Sequence, residues 1–150
     1  MKIVIQRVTQ ASVTIAGQIH AAIKTGLLVL VGVEDADTDD DVQWLSQKLV
    51  QLRIFNDEAA IPNLSVKDVG GDVIIVSQFT LHAATKKGNR PSYIKAAKPP
   101  LAATLYEAFV AAVTQQLGKP VGTGVFGADM QLALVNDGPL TIIIDSKNKI

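Results

Sequence analysis

The sequence predicts an α+β fold in which two helices pack on a largely antiparallel sheet that curls into a barrel-like form. Apolar residues recur at helical spacing in two well-separated segments. The other apolar runs are short, rich in β-branched residues and bounded by glycine, proline, asparagine or aspartate, as strands are. No linker, repeat or low-complexity tract interrupts them, so residues 1–150 read as a single domain.

Taken in chain order, Lys2 to Val8 alternate loosely, and Ala11, Val13 and Ile15 alternate strictly with Ser12 and Thr14 up to Gly17, which is the grammar of a hairpin. LLVLVGV, Leu27 to Val33, is continuously apolar and of strand length, as a strand covered on both faces must be. Val42, Leu45, Leu49 and Leu52 mark a first helix from about Thr38 to Leu52. Asp39, Asp40 and Asp41 stand at its start, where the helix dipole favours negative charge. Gly70-Gly71 then turns the chain into DVIIVSQFTL, residues 72–81, whose composition reads as a central strand. On that strand Ser77, Phe79 and Leu81 would share one face and Gln78 and Thr80 the other. Pro99-Pro100 opens a second helix with Leu101, Leu105, Ala108, Phe109, Ala112 and Val113 as its apolar stripe, and Gly118 and Pro120 end it. Two strands, QLALV and LTIIID, close the chain. Asn136-Asp137-Gly138-Pro139 between them reads by itself as a hairpin turn with a trans proline, the usual X-Pro state.

Composition removes several kinds of chemistry. With no cysteine, a thiol nucleophile, thiolate metal sites and disulfides are excluded. No apolar run approaches the roughly 20 residues of a membrane span, and MKIVIQRV lacks the apolar core of a secretory leader, so a soluble cytoplasmic protein is expected. Net charge is zero but unevenly spread: Lys86, Lys87, Arg90, Lys95 and Lys98 fall in a stretch from His82 to Tyr106 that has no acidic residue. That stretch is either a phosphate-contacting segment or a solvated lysine-rich loop.

Other motifs fail on context. Gly122-Thr-Gly124-Val-Phe-Gly127 spells a dinucleotide fingerprint, but a helix precedes it and a strand follows, the reverse of what pyrophosphate binding needs. Asp35, Asp37 and Asp39 imitate a calcium loop, yet Asp40 stands where glycine is required and Ser46 where the bidentate glutamate belongs. His20 and His82 have no partner at metal-ligand spacing, and no nucleophile elbow is present. Spacing leaves open a Ser77–His82–Asp triad, but nothing marks the serine as activated. No metal or cofactor is expected.

SQFTL, Ser77 to Leu81, and NDGPLT, Asn136 to Thr141, resemble the signature pair of the D-aminoacyl-tRNA deacylase family. IQRVTQASV, LRIF, NLSVKDVGG, KKGNRPS, LYEAF and FGADMQLALVNDGP follow in family order, so the resemblance covers nearly the whole chain. His82 stands where the family pattern has tyrosine and Leu140 where valine is commoner. The resemblance implies a barrel-like α+β homodimer with active sites at the subunit contact and tRNA as partner. Ser77, Gln78, Phe79 and Thr80 would form the catalytic pocket. Gly138-Pro139, with a cis peptide, would enter the partner's site and reject L-aminoacyl groups, Arg7 would help hold it, and Asn136 and Met130 would join in substrate binding. Lys86, Lys87 and Arg90 would meet tRNA.

The implied reaction is hydrolysis of the ester of D-aminoacyl-tRNA, with glycine misattached to alanine tRNA as a further substrate. No general base is apparent near the signature, and an unactivated Thr80 hydroxyl is a weak nucleophile. The resemblance therefore points to a route assisted by the substrate's own 2′-hydroxyl, with main-chain N–H groups near Gln78 and Phe79 meeting the oxyanion. A Thr80 acyl-enzyme is the alternative. Two other functions remain to be separated: a non-catalytic tRNA- or RNA-binding module using the basic loop, and a dimeric small-molecule binder in which that loop is only surface.

Overall fold

The computed structural model describes residues 1–150. The first hairpin forms as expected. Strand β1 (Lys2–Ile15) turns through Ala16-Gly17 into β2 (Gln18–Ile23). Both turn residues have positive φ, 50° and 78°, the backbone that a two-residue hairpin turn with the right twist demands. Strand β3 (Gly26–Gly32) pairs antiparallel with the first half of β1, from Lys2↔Gly32 to Val8↔Gly26, on the side where β2 takes the second half. The other edge of β1 carries β8 (Gln131–Asp145) along almost its whole length.

The sheet is mixed. Strand β6 (Asp72–Ser77) runs parallel to β3, and the short β7 (Gly122–Thr123) runs parallel to β6. At Gly122 a Cβ would lie 3.0 Å from Ile74 and 3.2 Å from the Ala21 Cβ of β2, so the two ends of the order β2-β1-β3-β6-β7 close on each other and the sheet is nearly a barrel. Phe55–Asn56 (β4) and Pro62–Leu64 (β5) form a separate two-stranded ribbon.

Alternation along β3 and β6 divides the interior into two cores. Leu27, Val29, Val31, Val73 and Ile75 face the helices, while Leu28, Ile74 and Val76 face the barrel side with Val8, Ala11 and Val13. Both faces are covered, which is why LLVLVGV has no polar alternation. Helices α1 (Asp39–Gln51) and α2 (Pro99–Leu117) bury Leu45, Leu49, Leu105 and Phe109 against the first core, each such side chain contributing about 1.5–3 kcal/mol. Helix α2 begins on Pro99-Pro100 and ends at Gly118, whose φ of 82° and N–H bond to Thr114 at 3.0 Å make the left-handed cap. The Tyr106 hydroxyl donates to the Ile75 carbonyl at 2.7 Å, pinning α2 to β6, and burial pushes this phenol up to about 12.

Two expectations fail. The run DVIIVSQFTL is a strand only to Ser77; Phe79–His82 form a 3-10 turn, so Ser77, Phe79 and Leu81 share no sheet face. The Gln78 N–H bonds to Val31 O at 2.7 Å, and the chain then curls, with Leu81 and Ala83 N–H bonding back to Gln78 and Thr80. Local β propensity is overridden once the parallel ladder with β3 runs out. Nor is Asn136-Asp137-Gly138-Pro139 a hairpin turn, because the segments on either side both pair antiparallel with β1. Residues 137–140 are extruded from one long strand, opposite Arg7 alone, between Gln6↔Thr141 and Val8↔Asn136. The Gly138-Pro139 peptide is cis.

The acidic cluster serves the fold. The buried Asp37 carboxylate pairs with the amino group of Met1 and accepts the Glu34 N–H at 2.8 Å, so it belongs to no calcium loop. Asp41, in the first turn of α1, accepts from the Thr38 N–H at 2.8 Å, the Ser146 hydroxyl at 2.6 Å and Lys147 Nζ at 3.0 Å. Burial alone would raise its pKa, but these donors outweigh burial and hold it at about 2, against 3.8 for a free side chain. A depressed carboxyl stabilises the fold above its unfolded pKa and loses that contribution as pH falls toward its folded one. Asp41→Asn is therefore expected to cost about 2 kcal/mol at neutral pH. The difference from the parent should vanish between about pH 4 and pH 2 in urea titrations at several pH values.

Candidate active site

At the end of β6 the chain leaves the sheet beside a cavity of about 610 Å³. Its floor is Val76, Ser77, Gln78 and Phe79. One wall comes from Tyr93 and from Ala96 to Pro99, leading into α2, and the other from Phe126 to Met130, ahead of β8. Phe79 and Tyr93 meet edge to face, 5.0 Å between centroids at 76°, so the 3-10 turn and the first wall are joined through their rings.

The 3-10 turn supplies the polar face. The opening N–H groups of any helical turn have no partner within it, and here they belong to Phe79 and Thr80. The Gln78 N–H expected to share this role is occupied by Val31 O. Gln78 contributes through its side chain, which donates from Nε2 to Thr80 Oγ1 at 2.6 Å. That bond orients the threonine hydroxyl without activating it, since an amide donor takes no proton. No triad forms either: His82 is buried at the end of the turn, with Nδ1 facing Glu34 at 3.6 Å and Nε2 unpartnered.

The sequence-predicted residues divide into two groups. Ser77, Gln78, Phe79 and Met130 line the cavity, and Thr80 follows them on the turn. Arg7, Asn136, Gly138 and Pro139 do not line it; Gly138 and Pro139 lie in the extruded loop on β8, Asn136 flanks that loop and Arg7 faces it from β1. There Asn136 accepts the Leu140 N–H at 2.6 Å and donates to Gln6, Leu140 and Thr141 at 3.1 Å each. Arg7 donates from Nε to the Asp137 carbonyl at 3.0 Å and from Nη1 to the Ile54 carbonyl. Charged donors on carbonyls are worth about 1.5–3 kcal/mol each, whereas the half-exposed Asp137 carboxylate 3.6 Å away adds at most about 1 kcal/mol, so the main-chain bonds do the holding. Gly138 has φ 137°, and a Cβ there would sit 3.1 Å from Arg7 Nη2. Only glycine suits that position.

Lys86, Lys87 and Arg90 lie on an exposed loop closed at its base by the Ala84–Ser92 bridge, with N–H···O distances of 2.8 and 3.0 Å. None has an acidic partner, and the loop runs directly into Tyr93 of the cavity wall. Sequence reading missed Phe126, Tyr93 and Ala96 to Lys98 as lining residues. Aromatic and alanine residues carry no such signal until the fold brings them over β6, and Lys98 is legible only as part of the basic stretch. The glycine run 122–127 is explained by packing: a Cβ at Gly124 would come 2.3 Å from Met130 Sδ, and Gly127 turns at φ 79°. It frames the cavity and is no dinucleotide loop.

A carbonyl held over this turn would be polarised by main-chain donors, with no side chain prepared as a nucleophile. Such a site suits an ester that is already activated far better than an amide, and the class it defines is a small esterase-type hydrolase. The family model described as D-Tyr-tRNA(Tyr) deacylase matches residues 4–145. The chain is 63% identical over 149 residues to the D-aminoacyl-tRNA deacylase of Flavobacterium psychrophilum and 61% to that of Parabacteroides distasonis, covering 99% of both chains in each case. A solved structure titled c-Myc DNA Unwinding Element Binding Protein superposes with TM-score 0.93 at 38% identity, over 97% of this chain and 99% of that one. A probable eukaryotic D-amino acid tRNA deacylase shares the fold, with TM-score 0.84 at 19% identity over 95% of this chain and 97% of that one. The chain belongs to the D-aminoacyl-tRNA deacylase family.

Proposed function

We propose that this chain hydrolyses the ester of D-aminoacyl-tRNA in the cytoplasm, releasing free D-amino acid and tRNA. The observation that supports the reading best is the cavity itself: an apolar space floored by Ser77, Gln78 and Phe79, with the 3-10 turn, whose opening N–H groups have no partner within it, beside it, in a chain of this family. The aromatic rings of Phe79, Tyr93 and Phe126 suit the terminal nucleotide and its aminoacyl group, and the Phe79 and Thr80 N–H groups would meet the oxyanion. The water is activated with help from the substrate's 2′-hydroxyl, because Thr80 faces an amide donor and no base.

The working form in this reading is a homodimer. Strand β8 pairs with β1 on one edge only, and Val135 and Ile143 stand exposed on either side of Gly138-Pro139. An open apolar edge of this length calls for cover. A two-fold contact along β8 would carry the Gly138-Pro139 loop of one protomer toward the cavity of its partner. Held by Arg7 and Asn136, that loop would place main-chain carbonyls where an L side chain has to go, while D side chains point outward. Glycine offers nothing to reject, so glycine on alanine tRNA is a substrate too. The unpaired cations of the basic loop also fit a module that binds RNA without cleaving it, which binding without ester loss would reveal.

Ester loss from matched D-, L- and glycyl-tRNA is the direct test: D-substrates with unrelated side chains and glycyl-tRNA should be cleaved and L-substrates spared, and equal rates on both enantiomers would refute the reading. Reversing charge at Lys86, Lys87 and Arg90 should weaken tRNA binding and flatten its salt dependence, by about 1 in slope for each cation that meets phosphate, with thermal stability unchanged. Thr80→Ala should retain most of its single-turnover rate at saturating enzyme, while a bound D-aminoacyl ester on tRNA ending in 2′-deoxyadenosine is nearly inert. Loss of turnover in Thr80→Ala, with the deoxy substrate still acylating the protein, would establish the acyl-enzyme route instead.

A further inference from the structure

We propose that His82 and Glu34 act together as a positioning pair that fixes the Phe79–His82 turn against the cavity wall; the proposal rests on the deacylase reading of that cavity. The His82 side chain is 5% exposed, its Nδ1 lies 3.6 Å from Glu34 Oε2, and its buried Nε2 has no hydrogen-bond partner. A buried ring nitrogen without a partner is a cost that an aromatic hydrocarbon of similar size would avoid. Packing alone therefore does not account for an imidazole here. What it adds over a hydrocarbon is the contact with Glu34.

Glu34 is itself firmly placed. Its N–H donates to the buried Asp37 carboxylate at 2.8 Å, and it pairs across an antiparallel bridge with Ala96, next to the bond from Ala97 N–H to Val33 O at 2.9 Å. Ala96 and Ala97 line the cavity. The His82–Glu34 contact thus ties the turn that carries Phe79 and Thr80 to the wall facing it. Gly32 sets the height of the turn, since a Cβ there would come within 3.0 Å of His82 Cδ2 and Leu81 Cβ and 3.1 Å of the Gln78 carbonyl. Lys2 Nζ reaches the Leu81 carbonyl only at 3.4 Å. Seated on β3 from below and joined to the wall at its start through Phe79 and Tyr93, the turn has in His82 and Glu34 a second tie, at its far end. Donors to a developing oxyanion act only if held within a few tenths of an ångström, so loosening this contact should slow the chemical step more than it weakens binding.

The test compares the full-length protein with His82→Phe, Glu34→Gln and the double variant. It measures single-turnover hydrolysis of D-aminoacyl-tRNA at saturating enzyme alongside the Kd for the same tRNA. Each single variant is expected to lose about tenfold in rate with Kd changed by less than about twofold, and the double variant should be no slower than the slower single, because one contact is removed in all three. Unchanged rates, losses that multiply in the double variant, or a loss confined to Kd would overturn the proposal. Should His82→Phe fail to fold, Glu34→Gln decides alone: its carboxylate is partly exposed, and a fall in rate at unchanged thermal stability is the expected result. An active parent with unaffected variants counts against the pair only, whereas an inactive parent would overturn the deacylase reading and the pair with it.

Discussion

The main-chain ladder on both edges of β1 is the constraint from which the rest of the molecule follows. One edge holds β3 and then β2, and the other holds β8 from Lys2↔Asp145 to Thr14↔Gln131. Ile3 and Ile5 lie in the helix-side core, whereas Val8, Ala11 and Val13 lie in the other, and the irregular pairing between Gln6 and Gln10 is where the strand changes allegiance. A slip of one residue would move each set out of its core, so register is fixed at both ends. The same irregularity extrudes residues 137–140 and leaves Arg7 as the one β1 residue facing them. Loop, arginine and strand register are one feature.

A second consequence concerns the end of β6. Because β3 is hydrogen-bonded on both edges, to β1 and to β6, its last carbonyls and Gly32 make a rigid platform. The chain leaving β6 is caught there by Val31 O and curls at once, which turns a β-prone sequence into a turn whose opening N–H groups have no partner within it. Two walls reach over that turn from opposite directions, one leading into α2 and one leading into β8, and both are anchored by main-chain bonds or glycine packing. Chemistry that depends on backbone donors needs this kind of support, since donors that do not move cost no reorganisation when charge develops.

Charge is used in two ways. The acidic residues near α1 are drawn inward, where Asp37 and Asp41 bind Glu34, Thr38 and Ser146 and join the N-terminal and C-terminal segments to the helix start. The lysines and arginine of the loop ahead of Tyr93 are left outward and without partners, beside the cavity. A chain of zero net charge therefore presents a locally cationic loop next to the cavity wall.

By itself the sequence determined both helices, with Thr38 before the first and Gly118 after the second, the two-faced burial of Leu27 to Gly32, and the hairpin at Gly17. These depend on local periodicity and on residues whose backbone preferences act over a few positions. It also carried the family pattern through SQFTL and NDGPLT, and hence Ser77, Gln78, Phe79 and Met130 of the cavity and the residues that shape the loop. Tertiary structure alone decided that SQFTL leaves the sheet at Ser77, that residues 137–140 form a bulge in one strand, and that β3, β6 and β7 run parallel. It also brought Tyr93, Ala96 and Phe126 to the cavity and Glu34 to His82. Each of these joins segments far apart in the chain, and whether a β-prone stretch stays extended or curls depends on which neighbouring strand still offers it a hydrogen-bonding partner.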